Sequence, residues 1–311
     1  MSEKDIAEKT FIALDDVFAD IVNGLLFEGK QIIMANSLED ITLTSQYKAD
    51  EEILHEQERD TYKLWRGHGV NLILIGMENQ TKPDKDMPFR VIGYDGAAYR
   101  TQLLKTEERI IKGKVRQVVK KERYPVVTLV LYFGQKRWRY SKSLKESFYP
   151  ALPNDEVTQV LQQYISDYKI NVFEISYLKP EQVKLFRSDF RIVADYFVNS
   201  KNNVNYIPDD KVIDHVDEFL KLMSVLTGDR KYEEIGTSFE MQEKKEGSRM
   251  CKVLEAREQR GEQRGIEIGT LQTLLGLVKD NLLSVEVAAQ RANMSVEEFE
   301  RRTSNPPSSN A

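Results

Sequence analysis

Cysteine and histidine are scarce in this chain. Its 311 residues include one cysteine, Cys251, and three histidines, His55, His68 and His215, which stand far apart in the sequence. A disulfide framework and a cysteine-based zinc cluster within one chain both need several cysteines, and the single one excludes them. The wide separation of the histidines argues against a histidine-rich metal site. The disulfide-rich and zinc-cluster classes of protein are therefore excluded.

Long apolar runs are absent as well. No segment approaches the roughly 18 uninterrupted apolar residues of a membrane span. The first ten residues, MSEKDIAEKT, are polar and acidic, and they lack the basic and apolar regions of a secretory signal. Apolar residues make up 41% of the chain and charged residues 31%, which is typical of globular proteins and not of disordered ones. We therefore expect a cytoplasmic protein with no membrane partner.

The net charge of −5 conceals a separation of charge along the chain. Residues 1–60 carry fifteen Asp or Glu against five Lys or Arg, whereas residues 100–123 carry nine Lys or Arg against three Glu. Residues 135–145 add five positive charges and no negative one. Charge runs are commonly solvated helix faces or edge strands. An acidic region that faces two basic ones would also suit a divalent-metal site with a phosphate-binding rim.

The apolar periodicity of residues 1–235 predicts an α/β sandwich with one central sheet. Spacings of three and four residues indicate amphipathic helices, and nearly continuous apolar runs indicate buried strands. Segment 58–65 fits either a strand or a turn into one. The predicted helices are 11–27, Phe89 to about Ile111, 155–168 and 181–200, and the predicted strands are 70–79, 124–134 and 169–178.

The apolar content drops around 236–250, which places the end of the first domain near residue 235. Glycines at 261, 265 and 269 lie on one face of a helix, and such a face can let two helices approach closely. We therefore predict that residues 236–280 form a helical connector and that the protein is a homodimer.

The last part of the chain predicts two short helices in residues 281–303, in a helix-turn-helix-like arrangement. Ser284 can cap the first helix, and Ser295 with Glu298 forms an S-x-x-E capping box for the second. Residues 304–311 are predicted to be a disordered end.

Three polar residues form the candidate chemistry. Side chains alternate along a strand, so Glu78 and Gln80 are expected to share a face. If Asp60 leads a neighbouring strand, its carboxylate could meet that of Glu78 and share a Mg²⁺ ion, which lowers the pKa of a bound water. Gln80 would then orient the water or the phosphate, without the positive charge that lysine supplies in many such enzymes. The alternative is that residues 78–80 are only a polar strand end.

Several separated motifs occur in the order found in one family. They are LDDVFADIVNGLLFEGKQII, RDTYK, LILIGMENQTKPDKDMPFRVIGYDGAAY, YPVVTLVLYFG and FRSDFRIVADYF. Together they cover most of residues 10–235 and resemble the recombination-promoting nuclease (Rpn) family, also labelled PD-(D/E)XK nuclease family transposase. The resemblance implies a restriction-endonuclease-like core of mixed sheet and flanking helices, Mg²⁺-dependent DNA cleavage and a link to recombination or mobile DNA.

The resemblance also implies roles for particular residues. By position, the aspartate of the family's active site falls on Asp60, and its E-x-Q motif falls on Glu78 and Gln80. Asp60 and Glu78 would then hold the metal.

Further residues are candidates for accessory roles. The resemblance implies an acidic residue on the first helix, where Asp20 is favoured over Asp15 and Asp16. Arg90 and Tyr94 are one helical turn apart and either face the site or pack against the sheet.

The sequence thus predicts a Mg²⁺-dependent DNA endonuclease that hydrolyses phosphodiester bonds. The alternative is a catalytically inactive DNA-binding or oligomeric scaffold, a remnant of a mobile element. In either case the basic region after the predicted helix is expected to bind DNA phosphates. The residues expected to make these contacts are Arg109, Lys112, Lys114, Arg116, Lys120 and Lys121.

Overall fold

The structure is a computed structural model that describes residues 3–40, 45–48, 54–57, 61–67, 70–148, 155–199, 211–232, 234 and 248–304. It divides into two compact units, Met1–Pro208 and Asp209–Ala311. This division lies before position 235, where the sequence analysis ends the first domain.

The first unit contains a mixed set of helices and strands. Its helices are α1 Glu3–Ile12, α2 Asp15–Leu26, α3 Met87–Leu104, α4 Glu156–Gln162, α5 Pro180–Val183 and α6 Phe190–Asn199. Its strands are β1 Leu38–Asp40, β2 Ser45–Lys48, β3 Leu54–Gln57, β4 Thr61–Gly67, β5 Val70–Gln80, β6 Thr106–Ile111, β7 Lys114–Val119, β8 Val126–Tyr132 and β9 Asn171–Glu174.

Five strands form the central sheet, in the order β1-β4-β5-β8-β9. Strands β1, β4 and β5 pair antiparallel, whereas β5, β8 and β9 pair parallel. Two neighbouring parallel strands need a crossover connection, and α3 lies in the one between β5 and β8. The expected mixed α/β fold with one central sheet and flanking helices is confirmed.

Helix α3 covers one face of the sheet. Met87 and Val91 of α3 pack in one buried cluster with Val130 and Tyr132 of β8. The side chain of Tyr62 on β4 reaches the same helix, since its hydroxyl donates to the Tyr94 carbonyl oxygen at 3.2 Å.

Helices α2 and α6 cover the opposite face. The ammonium group of Lys63, the residue after Tyr62, lies 5.8 Å from the centre of the Phe18 ring on α2. Lys63 is fully buried and pairs with Asp15 at 2.6 Å and with Asp40 at 2.5 Å. These two pairs fasten the start of α2 and the edge strand β1 to β4. Phe133, which follows β8, contacts Phe190 and Phe197 of α6 on this face.

The predicted helix 11–27 is two helices in the structure. Leu14 has an extended backbone, with φ −60° and ψ 126°, and it separates α1 from α2. Asp15 and Asp16 then occupy the first turn of α2, where carboxylates are favoured by the unsatisfied N–H groups. The apolar face was predicted correctly, since Phe11 and Phe18 are both fully buried.

The predicted helix from Phe89 to Ile111 is wrong in its second part. Helix α3 ends at Leu104, and β6 and β7 form an antiparallel hairpin. Lys112 and Gly113 make its two-residue turn with φ values of 52° and 73°. Positive φ at both positions is typical of the type I′ turn, whose twist matches that of the flanking strands.

The second unit is mainly helical. Its elements are β10 Val212–Ile213, α7 Val216–Thr227, β11 Ser248–Arg249, α8 Met250–Lys279, α9 Val285–Arg291 and α10 Val296–Ser304.

The tail of the chain folds against α8. Leu271 and Leu274 of α8 form a buried cluster with Ala288, Ala289 and Phe299 of the two short helices. The side chain of Ser284 caps α9, as expected from the sequence. The two helices are too short to be stable alone in water, and the apolar surface of α8 provides the packing that they need.

The glycine face of α8 offers a test of the predicted homodimer. A Cβ atom added at Gly265 or Gly269 would meet no atom within 4 Å. We expect Gly265→Leu to leave the single chain folded and to convert a dimer into a monomer, because the added side chain would hold two helices apart. Light scattering measures this change, with Gln263→Leu on the other side of the helix as control. A dimer that survives Gly265→Leu would rule out this face as the interface.

Candidate active site

Glu78 and Gln80 lie at the carboxyl end of β5 and share a face of the sheet. The Gln80 amide nitrogen donates to Glu78 Oε1 at 3.1 Å. Glu78 is only 3% exposed, although it carries a carboxylate. Burial of a charge is costly unless the charge is paired, so the surroundings of Glu78 must supply a cation.

Arg90 on α3 is that cation. Its guanidinium donates to Glu78 Oε1 at 2.5 Å and to Asp84 Oδ2 at 2.9 Å. It also donates to the hydroxyl of Tyr94, one helical turn further on, at 3.0 Å. The structure therefore brings four side chains of the predicted site together, namely those of Glu78, Gln80, Arg90 and Tyr94. Arg90 provides the positive charge that Gln80 cannot supply.

The charge of Arg90 is secured by its neighbours. Burial lowers the pKa of Arg90, but the charge of Glu78 and the hydrogen bonds to Tyr94 and Asp84 outweigh this effect, so the pKa lies above its ordinary value. The guanidinium is therefore a permanent cation, held in place by two carboxylates and a phenol.

Asp84 is the site residue that the sequence analysis missed. Its Oδ1 accepts a hydrogen bond from the backbone N–H of Asp86 at 2.9 Å, just before α3 begins. This turn orients α3 so that the side chain of Arg90 reaches Glu78 on β5. The available signal was an acidic residue shortly before a helix that has proline in its first turn, which is a common start of a helix.

Asp60 lies outside the described residues. The described part of β4 begins at Thr61, which pairs with Met77 in the antiparallel register of β4 and β5. The role of Asp60 stays a prediction.

Asp20 lies on α2, and its contacts are made with the segment before α6. Its Oδ2 accepts hydrogen bonds from the backbone N–H groups of Arg187 and Ser188, each at 2.8 Å, and from the Ser188 hydroxyl at 2.7 Å. Its Oδ1 is buried and has no partner in the described part of the chain. Burial raises the pKa of Asp20, and the hydrogen bonds from Ser188 and Arg187 offset only part of this.

These contacts give Asp20 a structural role in holding α2 to the segment before α6. Helix α2 packs on the sheet face of Lys63, whereas Glu78 and Arg90 lie on the face that α3 covers. The implied role of Asp20 in the active site stays a prediction.

The pH dependence of stability tests the role of Asp20. The pKa of Asp20 in the folded protein is raised above the ordinary 3.8. The stability that protonated Asp20 contributes to the fold is therefore complete below pH 3.8 and is lost as the pH rises through the folded pKa. We expect Asp20→Asn to weaken this loss while keeping the fold and any nuclease activity. Thermal unfolding between pH 4 and pH 7 measures it, with Asp16→Asn on the exposed side of α2 as control. Loss of nicking by a stable Asp20→Asn variant would instead place Asp20 in the site.

The predicted DNA-binding residues lie on the β6–β7 hairpin and just beyond it. Arg109 and Arg116 face each other across the two strands, and both are exposed. The Lys120 backbone N–H donates to the Lys105 carbonyl oxygen at 2.8 Å, which closes the base of the hairpin.

This hairpin lies at the far end of α3 from the site. Gln102 in the last turn of α3 is bonded to the backbone of Tyr124, just before β8 begins. Arg90 is in the first turn. Since α3 rises 1.5 Å per residue, the two ends of this 18-residue helix are roughly 25 Å apart. The structure thus separates the predicted DNA-binding residues from Glu78.

The carboxylates at this site suit a hard divalent cation. Mg²⁺ uses one or two protein carboxylates, and water and phosphate oxygens complete its shell. Within the described residues, no three His, Cys, Asp or Glu side chains form a metal-binding group. Glu78 provides one buried carboxylate, and a second from Asp60 would meet the requirement. Glu78 is thus one candidate ligand for Mg²⁺, and the second ligand stays a prediction.

The fold is mixed α/β, with a five-stranded mixed central sheet flanked by helices. A family model described as "Putative transposase, YhgA-like" matches residues 28–226, which is more than half of the chain. The chain belongs to this family, which is part of the PD-(D/E)XK Rpn-like transposase group, and the resemblance seen in the sequence is confirmed. Membership of a transposase family implies interaction with DNA.

Comparison with curated proteins and with solved structures gives no match. Among the residues that the structure describes, no helix is long and apolar enough to cross a membrane.

Proposed function

We propose that this protein is a Mg²⁺-dependent DNA endonuclease that hydrolyses phosphodiester bonds. The observation that supports it most is the convergence of Glu78, Gln80 and Arg90 at the carboxyl end of β5, in a chain of a transposase family. A buried carboxylate, an amide and a guanidinium at one place match the needs of phosphodiester hydrolysis, in which a metal and cations stabilise negative charge.

We assign the metal ligands to Glu78 and Asp60. Thr61, where β4 begins, pairs with Met77, the residue before Glu78. The family resemblance gives the second ligand to Asp60, which precedes Thr61 in the sequence. The bound Mg²⁺ would supply Lewis acidity and a water of lowered pKa.

The remaining residues position the substrate. Gln80 donates a hydrogen bond and carries no charge, so it is suited to orienting water or a phosphate oxygen. Arg90 presents a planar set of donors that fits phosphate, and Asp84 and Tyr94 hold it in place. Arg90 keeps its charge over the whole working pH range, so it can stabilise an anionic phosphate without titrating.

One observation favours a second candidate function, a catalytically inactive DNA-binding or oligomeric scaffold. Oε1 of Glu78 already accepts from both Arg90 and Gln80, as the oxygen of a purely structural ion pair would. In that case the cluster would only fasten α3 to the sheet.

Metal removal separates the two candidate functions. We expect the purified full chain to nick supercoiled plasmid in Mg²⁺ and to lose this activity in EDTA, because the metal supplies the Lewis acid. DNA binding should persist in EDTA, since cationic side chains provide it. The readout is the ratio of supercoiled to open-circular plasmid on a gel. Binding without nicking under both conditions would favour the scaffold.

A further inference from the structure

We propose that the loop after β8 is a phosphate-binding surface that holds duplex DNA against the Glu78 site, an inference that rests on the proposed nuclease function. This cationic loop comprises residues 135–145. It carries five positive charges and no negative one. It differs from the β6–β7 hairpin in its position.

The cationic loop starts beside Gln80. Strands β5 and β8 are parallel and pair Gln80 with Tyr132, and the Phe133 N–H donates to the Gln80 carbonyl oxygen at 2.8 Å. Both strands therefore end at the same edge of the sheet, about 5 Å apart. The β6–β7 hairpin instead precedes the amino-terminal end of β8. That end is roughly 20 Å from the end beside Gln80, since β8 has seven residues.

The loop also lies on the correct face of the sheet. Tyr132 and Gln80 are register partners, so their side chains point to the same face as that of Glu78. The Tyr132 hydroxyl donates to the Lys136 carbonyl oxygen at 2.8 Å, and the Trp138 ring packs against the Tyr132 ring with centres 5.2 Å apart. These contacts bring the loop back over the face on which Arg90 approaches Glu78.

The backbone of the loop is anchored at several points. The Tyr177 hydroxyl donates to the Gln135 carbonyl oxygen at 2.6 Å, and the Trp138 N–H donates to Glu174 Oε2 at 3.0 Å. Trp138 is 8% exposed and belongs to the core cluster that includes Met87 of α3. A loop held in this way keeps its side chains in place before a ligand arrives, which reduces the entropy lost on binding.

The anchored loop presents its cations to solvent. Lys136, Arg137 and Arg139 are exposed on either side of the buried Trp138. The Arg137 guanidinium lies 4.0 Å from the centre of the Tyr177 ring, which holds it over an aromatic face. Arg137 also pairs with Glu174 at 3.7 Å, whereas the part of the chain that the structure describes places no carboxylate within ion-pair distance of Lys136 or Arg139. Exposed cations beside a candidate phosphodiesterase site are suited to the phosphate backbone of DNA.

The test compares two variants of equal charge in the full chain. One carries Lys136→Gln, Arg137→Gln and Arg139→Gln. The control carries Lys30→Gln, Lys221→Gln and Arg230→Gln, at three exposed positions elsewhere. Binding of a fluorescent 20-base-pair duplex is measured in EDTA over a range of salt concentrations, and plasmid nicking is measured in Mg²⁺.

We expect the loop variant to reduce the slope of log affinity against log salt by about 2 to 3, at roughly 0.9 per phosphate contact, and the control to change it by less than about 1. Nicking at sub-saturating DNA should fall about tenfold or more in the loop variant alone, following the loss of affinity. Circular dichroism and thermal unfolding check that both variants are folded.

The outcomes separate this inference from the proposed function. A folded loop variant that binds and nicks like the control overturns the inference and leaves the nuclease intact. A wild-type chain that binds DNA through the loop but never nicks in Mg²⁺ refutes the nuclease and supports the loop as a DNA-binding surface. A wild-type chain that binds no duplex overturns both. An equal loss of slope in both variants would show general electrostatic attraction and would also overturn the inference.

Discussion

Replacement of the carboxylate of Glu78 should abolish cleavage while the protein remains folded. We expect Glu78→Gln to reduce the rate of plasmid nicking by about 100-fold or more, because several kcal/mol of charge stabilisation depend on the metal and each 1.36 kcal/mol is tenfold in rate. The side chain keeps its size, so no cavity forms. Asp60→Asn should have an effect of the same order, since the proposal gives it the same ion.

The control for this experiment is Glu39→Gln. Glu39 also lies on a strand of the central sheet and pairs with an arginine, Arg66, at 2.6 Å, but both side chains are about half exposed. It should nick like the wild type. If folded Glu78→Gln protein nicks at the wild-type rate, the site assignment is wrong. If Asp60→Asn protein nicks at the wild-type rate, the two residues do not share an ion.

Removal of Arg90 should destabilise the fold. We expect Arg90→Met to lower the free energy of unfolding by about 2 to 3 kcal/mol, because it leaves the buried charge of Glu78 without its cation. This expected loss of stability is smaller than the loss for a fully buried ion pair, because the side chain of Arg90 is 38% exposed. The side chain of Glu78 is 4% exposed. Urea denaturation monitored by circular dichroism measures the change.

A double-mutant cycle tests whether the loss comes from this pair. Arg90→Met combined with Glu78→Gln should recover part of the stability, with a coupling energy of about 1 to 3 kcal/mol, because the stranded charge is then removed. Arg66→Met is the control at an exposed ion pair and should change stability much less. Additive losses in the cycle would mean that Arg90 stabilises the fold through Asp84 or Tyr94 and not through Glu78.

The local part of the site could be predicted from the sequence. Residues 78 and 80 share a face because the period of a strand is two, and the apolar run before them identified that strand. The spacing of Arg90 and Tyr94 placed both on one side of a helix. Asp84 was missed because it acts through a turn, and no periodicity marks the position of a side chain in a turn.

The extent of α3 could not be predicted from apolar spacing alone. Ile110 and Ile111 continue the apolar content of the helix, yet they belong to β6. The turn of Lys112 and Gly113 between two β-branched segments was the available signal for a hairpin.

The sequence by itself determined the family and several of the elements, because periodicity and motif order are local properties of the chain. It identified the buried strand that ends in Glu78 and Gln80, the apolar face around Phe18 and the caps of the tail. Only the tertiary structure decided which of these meet. The parallel pairing of β5 with β8 puts the cationic loop beside Gln80, and the packing of α3 puts Arg90 on Glu78. Both contacts join residues that are 12 or more positions apart, and such pairings depend on packing and register, which no local pattern encodes.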